Sequence, residues 1–207
     1  MEKISPLNNE KQVLWENAFK KCETIVDGLG LEMDENIKEC VVGLWMNDFN
    51  TAGSCGGHKE EVDGKVKIRL PYVYIKQKNE PDYRYKGEKE VVQSIKQKFN
   101  LTKDNDIFDD GVIEKEYQDA MESIYENGEV EEYREWRKLD KSLEEKTLAL
   151  IEEYNSSKNG NFLRPSGIFP GIRIEYATQE KNELELEKAQ KEFTLFAEYL
   201  KNRYFNQ

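Results

Sequence analysis

The amino-acid sequence predicts an α+β fold: a small, mostly antiparallel sheet packed with about six helices, including an acidic helical lobe. Three observations predict it. Apolar residues recur three and four positions apart in six stretches, as in helices with one buried face. Shorter runs at 49–55, 66–75 and 162–177 carry the β-branched, aromatic and alternating pattern of strands. Gly, Pro and Asn punctuate the joins between these segments.

The first helix runs from about Asn9 to Leu29 on Leu14, Ala18, Cys22 and Ile25. Trp15, Phe19 and Val26 widen its apolar face, and Gly28 and Gly30 end it. Asp34 is suited to cap a second helix, whose stripe of Ile37, Val41, Leu44 and Trp45 reaches about Asn47. Phe49 to Cys55 reads as a strand entering Gly56-Gly57, and a charged loop follows from Lys59 to Gly64. One long strand then passes through Val66, Ile68 and Leu70 to Tyr72–Ile75. Pro71 removes a donor from that ladder, which predicts an edge position or a bulge.

Asn79 to Asp82 is a turn, and Gly87 to Asn100 a short helix with Val91, Val92, Ile95 and Phe99 inward. After the acidic connector Asp104 to Asp110, Gly111 to about Tyr154 is helical and interrupted at Gly128. Its apolar positions are Val112, Ile113, Tyr117 and Met121, then Tyr133, Trp136, Leu139, Leu143, Leu148 and Ile151. Residues 155–161 form a linker, and Phe162 to Ala177 returns to β structure. Thr178 is placed to cap a last helix with Leu186, Ala189, Phe193, Phe196, Leu200 and Tyr204 inward. The whole chain, 1–207, reads as a single α+β domain with 104–156 as a helical insertion or lobe.

Composition excludes several classes of function. No stretch approaches the roughly 20 apolar residues of a membrane span, so no membrane partner is expected. The polar start, Met1 to Asn9, lacks the apolar core of a signal peptide, and three cysteines make no disulfide framework. A reducing cytoplasm is the expected setting. The single histidine, His58, removes multi-histidine metal sites and makes any Ser-His or Cys-His mechanism depend on one residue. No P-loop and no dinucleotide-binding glycine pattern is present.

The formal net charge of −11 is unevenly spread. Residues 1–63 carry −7, 64–103 carry +7, and 110–156 carry −9. One basic island therefore follows the only histidine in an otherwise acidic chain. It is either a solvated strand face or a patch that attracts an anion. The acidity of 110–156 argues against nonspecific DNA binding and makes tRNA an unlikely partner, because phosphate neutralisation needs Lys and Arg.

Residues 50–58 read Asn-Thr-Ala-Gly-Ser-Cys-Gly-Gly-His. Successive amides in such a glycine turn can form an anion-binding nest, with Thr51 and Ser54 as added donors and His58 as a titratable one. Strand alternation puts Thr51, Gly53 and Cys55 on one face. The plainer alternative is a strand ending in a glycine turn, with Cys55 buried and His58 on the surface. Cys55 and His58 are the candidates for catalysis, although no third triad member is identifiable and a thiolate needs a cation or base beside it. No metal site is expected, because a third ligand would have to be Cys22 or Cys40, both on apolar helix stripes.

The run from Asp34 to Ile75, with its Ser54-Cys55-Gly56-Gly57-His58 turn and Pro71-Tyr72-Val73-Tyr74-Ile75 strand, resembles a family of small bacterial and phage proteins with a Ser-Cys-x-Gly-His turn. Phe193 to Lys201 fits that family's closing helix, and the resemblance implies no activity. More remotely, Thr51 to His58 is similar to the Thr-Ser-Ser-Cys-x-Gly-Arg turn of the wybutosine-synthesis methyltransferase family. Those enzymes methylate a modified tRNA guanosine with S-adenosylmethionine, so the resemblance implies a nucleotide-like ligand at Ser54, Cys55 and Gly57. His58 stands where that family has Arg, replacing a permanent forked cation by a titratable group.

Arg69, Arg84, Arg164 and Arg173 lie on or beside predicted strands. The expected ligand site comprises Thr51, Ser54, Gly56, Gly57, His58, Arg69 and Arg173, binding a small anionic or nucleotide-like molecule. The competing reading is a non-enzymatic interaction or inhibitor protein that meets a basic protein partner through the acidic helices 110–156.

Overall fold

A computed structural model describes residues 6–26, 30, 32–167 and 170–207. The class is α+β, with six α-helices, one four-stranded antiparallel sheet and one two-stranded sheet among these residues. The chain divides into two compact units, Met1–Gln77 with Asp140–Gln207, and Lys78–Leu139. The second overlaps the predicted insertion 104–156 but begins and ends earlier.

In the larger unit, helices α1 (Pro6–Glu23), α2 (Glu35–Met46) and α6 (Glu183–Asn206) and the end of α5 (Glu131–Ser157) cover one face of the sheet. The sheet takes the order β1 (Thr51–Cys55), β4 (Tyr72–Ile75), β6 (Ile172–Tyr176), β5 (Leu163–Gly167). Val73 and Ile75 on β4, and Ile172 and Ile174 on β6, point into this core. Helix α2 is buried along nearly its whole length, and Gly43 lets it approach α6 closely: a Cβ there would lie 2.8 Å from Leu200 Cβ. The α6 stripe is buried as expected from Leu186 to Tyr204, but its N-cap is Asn182, which accepts from Glu185 N–H. Thr178 Oγ1 accepts from Glu180 N–H instead and lies outside the helix.

Several expected boundaries shift. Helix α1 ends at Glu23 and buries Trp15 and Cys22, while Leu14 and Ile25 stay exposed. Gly28 and Leu29 lie outside the described residues, as do Met1 to Ser5. The predicted loop Lys59 to Gly64 is β2 (His58–Val62), paired with β3 (Lys65–Arg69). The turn residues Asp63 and Gly64 have φ of 54° and 69°, the left-handed values that a two-residue hairpin turn requires. The predicted strand through Pro71 is two strands in different sheets. Pro71 lacks the N–H that would continue the ladder, so the chain changes partner there, and β4 is an interior strand, not an edge. Pro165 instead sits on the edge strand β5, where a missing donor faces outward.

In the smaller unit, α3 (Glu88–Phe99) and α4 (Gly111–Glu122) enclose Val92, Ile95 and Ile107. Asp110 caps α4 by accepting from Val112 and Ile113 N–H. Gly128, at φ 76°, separates α4 from α5. Tyr133 and Trp136 stack with ring centroids 5.7 Å apart, and the Trp136 indole donates to Lys78 O. They are core residues. Further along α5 the buried face is Asp140, Leu143, Thr147, Leu150 and Tyr154, so Leu139 and Leu148 of the predicted stripe are exposed.

Candidate functional site

Two constellations, both in the larger unit, take up the residues predicted for a ligand site. The first is the turn between β1 and β2. A bulge between Thr51 and Gly53 breaks the expected alternation of β1. Thr51 Oγ1 accepts from the Trp45 indole N–H at 2.7 Å, so it serves the α2–β1 join and does not face the turn's ligand space. Gly56 N–H donates to Asp34 Oδ2 at 2.7 Å, and Gly57 N–H to Cys55 Sγ at 3.4 Å. The carbonyls are also used: Asn36 Nδ2 donates to Gly56 O at 2.8 Å, and Gln190 Nε2 to Gly57 O at 2.9 Å. Both amides of the expected anion nest are thus already engaged within the chain, Gly56 N–H by the Asp34 carboxylate and Gly57 N–H by the Cys55 sulfur.

That carboxylate was expected to cap α2. Asp34 does occupy the N-cap position, but its side chain makes no cap bond and reaches the turn instead. Around it the turn gathers three titratable groups. Cys55 Sγ lies 3.6 Å from His58 Nδ1, and one ligand atom each from Asp34, Cys55 and His58 fall within 4.8 Å of one another. Cys55 is 8% exposed, whereas Asp34 and His58 are open to solvent. Burial pushes the Cys55 thiol up; the Gly57 N–H opposes this and the Asp34 charge adds to it. His58 Nε2 faces Glu60 Oε2 at 3.9 Å. Cys22 contacts Met33 Sδ at 3.4 Å, and Cys40 is wholly buried, so neither takes the third place that the sequence offered them.

The second constellation lies against the open face of the sheet. Strand pairing sets Tyr74 opposite Arg173 and Tyr72 opposite Glu175, with Ser166 and Arg164 flanking them on β5. Alternation turns these side chains away from the core. Of these, Tyr72, Arg164, Arg173 and Glu175 line, together with β3, a cavity of about 600 Å³ to which Lys67, Arg69, Arg164, Arg173 and Lys181 contribute positive charge, against Glu60 and Glu175. The Arg173 guanidinium sits 4.2 Å over the Tyr72 ring and donates from Nη1 to Glu175 Oε1 at 3.3 Å. Its Nε is buried and has no hydrogen-bond partner. Arg69 Nε donates to Glu60 Oε1 at 2.9 Å and holds that carboxyl below its usual range.

The predicted ligand set therefore separates. Arg69 and Arg173 share the cavity, with Arg164 added, whereas Thr51, Ser54, Gly56, Gly57 and His58 do not line it. Arg84 belongs to the smaller unit, paired with Glu80 at 2.9 Å and set over Tyr133. Of the Pro- and Gly-rich run 163–171, the first part is β5, which supplies Arg164, and Ile168 and Phe169 lie outside the described residues. Among the described residues, no helix is long and apolar enough to cross a membrane. Compared with protein-family models, with curated proteins and with solved structures, the chain finds no match.

Proposed function

We propose that this protein binds a small anionic ligand, bearing phosphate or carboxylate, in the cavity between β3 and the open face of β4, β6 and β5. One observation carries the reading: Arg69, Arg164 and Arg173, from three different strands, converge on one cavity that also holds Lys67 and Lys181 but only two carboxylates. Guanidinium groups match the planar oxygen pairs of such ligands, and each charge-assisted hydrogen bond is worth about 1.5–3 kcal/mol. The buried Arg173 Nε–H is a donor in need of an acceptor, since an unmade hydrogen bond at a buried group costs about 1–3 kcal/mol. Tyr72, already under Arg173, offers an aromatic face beside the charge, which suits a nucleotide-like anion as well as a bare one.

The test is calorimetric titration of the full chain with inorganic phosphate, pyrophosphate and a nucleoside monophosphate at fixed ionic strength. At least one should bind saturably. Arg173→Gln and Arg69→Gln should each weaken it by about 10- to 100-fold, the cost of one charge-assisted contact. Saturable binding that is the same in both variants, or no saturable binding of any probe, defeats the proposal.

A further inference from the structure

We infer that Asp34, Cys55 and His58 form a binding site for a borderline-soft divalent cation of the zinc type, with a fourth coordination position open to solvent. Among the described residues these are the three His, Cys, Asp or Glu side chains whose ligand atoms come together in this way. One thiolate, one imidazole and one carboxylate are the donor types that such an ion takes, and three protein ligands with one open position describe its reactive sites.

The distances fit. Bonds of about 2.3 Å to sulfur and about 2.0 Å to nitrogen, at tetrahedral angles, hold the two ligand atoms roughly 3.5 Å apart. Cys55 Sγ and His58 Nδ1 are 3.6 Å apart already. The Asp34 ligand oxygen lies within 4.8 Å of both other ligand atoms, so a small side-chain adjustment brings it to the same centre.

The outer contacts fit as well. With Nδ1 turned to the sulfur, His58 presents Nε2 to Glu60, the carboxylate–imidazole–metal order that orients a ligating ring. Gly57 N–H points at Cys55 Sγ and Gly56 N–H at Asp34, so two ligands are held by the backbone of one turn.

Charge separates this assignment from a free nucleophilic cysteine. A thiolate beside an Asp carboxylate is repelled, and activation of a thiol calls for a cation. A dication takes both anions at once. Binding releases the thiol proton to solvent, and M²⁺ with Asp34 carboxylate, Cys55 thiolate and neutral His58 is then a neutral centre. This inference does not rest on the anion cavity, whose Arg69 and Arg173 are not ligands here.

The test uses the full chain, stripped with a chelator and titrated with Co²⁺, then challenged with Zn²⁺. The expected result is one cobalt per chain with a thiolate-to-cobalt charge-transfer band and tetrahedral d–d absorption, both removed by Zn²⁺. Cys55→Ser should abolish the charge-transfer band. Asp34→Asn keeps an oxygen for Gly56 N–H, and His58→Gln changes an exposed side chain, so both should stay folded by circular dichroism yet lose at least about tenfold in Co²⁺ affinity. Glu60→Gln, one contact further out, should lose about tenfold. The inference is overturned if wild-type protein shows no charge-transfer band, if the band survives Cys55→Ser, or if Asp34→Asn and His58→Gln bind Co²⁺ as wild type does. Phosphate titration reads the arginine cavity separately, so failure at one site is distinguishable from failure at the other.

Discussion

Three glycines in one short segment, Gly53, Gly56 and Gly57, should respond very differently to alanine. At Gly53 an added Cβ meets nothing within 4 Å, and its backbone is not left-handed. The substitution there should be neutral or stabilise by about 0.4–1 kcal/mol, because it restricts the unfolded chain. At Gly56 the Cβ would fall 1.8 Å from Asn36 Oδ1 and 2.8 Å from Asp34 Cβ. Asn36 must then move and give up its bond to Gly56 O. Overpacking of about 1–3 kcal/mol plus about 1 kcal/mol for that bond, less the unfolded-state gain, leaves about 1–3.5 kcal/mol of destabilisation. At Gly57 the φ of 79° adds about 1–2 kcal/mol for a non-glycine residue, and the Cβ would lie 2.9 Å from Pro71 N, a backbone atom that cannot rotate aside. Gly57→Ala should therefore cost at least as much as Gly56→Ala. Urea titration followed by circular dichroism measures this, with equal slopes required before midpoints are compared. Thermal midpoints should fall by about 2–14 °C for the two costly variants in a chain of this size. If Gly56→Ala lies within about 0.5 kcal/mol of wild type, or if Gly53→Ala is as damaging, the turn is not packed as described.

Two further outcomes follow from polar groups elsewhere. Tyr154 is wholly buried, and its hydroxyl donates to the buried Glu192 carboxylate; Tyr154→Phe should destabilise by about 1.5–3 kcal/mol in the same urea assay, and an unchanged midpoint would remove that bond from the core. Lys103 N–H and both donors of Thr102 hold the Asp106 carboxyl below its usual range. Its contribution to stability is present above the ordinary carboxylate range and is lost as pH falls through the depressed value. A carbon-detected NMR titration should show Asp106 protonating later on acidification than an unrestrained Asp, and nearer the ordinary value in Thr102→Val; an ordinary value in the wild type refutes the loop geometry.

The fold class was legible because helix faces and strand alternation repeat within single segments. The α6 stripe and the inward Ile172 and Ile174 needed no distant information. The β2–β3 hairpin was equally available in principle. Asp63-Gly64 is a strong two-residue turn signal, but the charged residues around it hide a strand pair exposed along most of its length. On α5 the apolar pattern misled by one position, since Asp140 and Thr147 are buried where Leu139 and Leu148 are not. Both polar groups are satisfied inside: Asp140 Oδ1 accepts from Gln77 N–H and Thr147 Oγ1 donates to Leu143 O. Burial of a satisfied polar group leaves no trace in hydropathy.

The candidate site was legible as a list of residues and not as an arrangement, because charges distant in sequence gather by fold. The +7 island, residues 64–103, is divided between the two units, and in the smaller one Lys96 and Lys98 pair with Asp104 and Glu116. Only its first part, Lys67 and Arg69 on β3, reaches the cavity, and Arg164 and Arg173 arrive there from about a hundred residues further along the chain through strand pairing. The glycine turn, by contrast, draws in Asp34 from 22 residues upstream and sits beside Glu60. Its backbone donors face the Asp34 carboxylate and the Cys55 sulfur, which leaves sulfur, imidazole and carboxylate groups at the turn. The anion site proposed above instead gathers arginines from β3, β5 and β6. Glu60, in the middle of β2, touches both, with one oxygen on Arg69 and the other toward His58, which stands opposite Arg69 in the hairpin register.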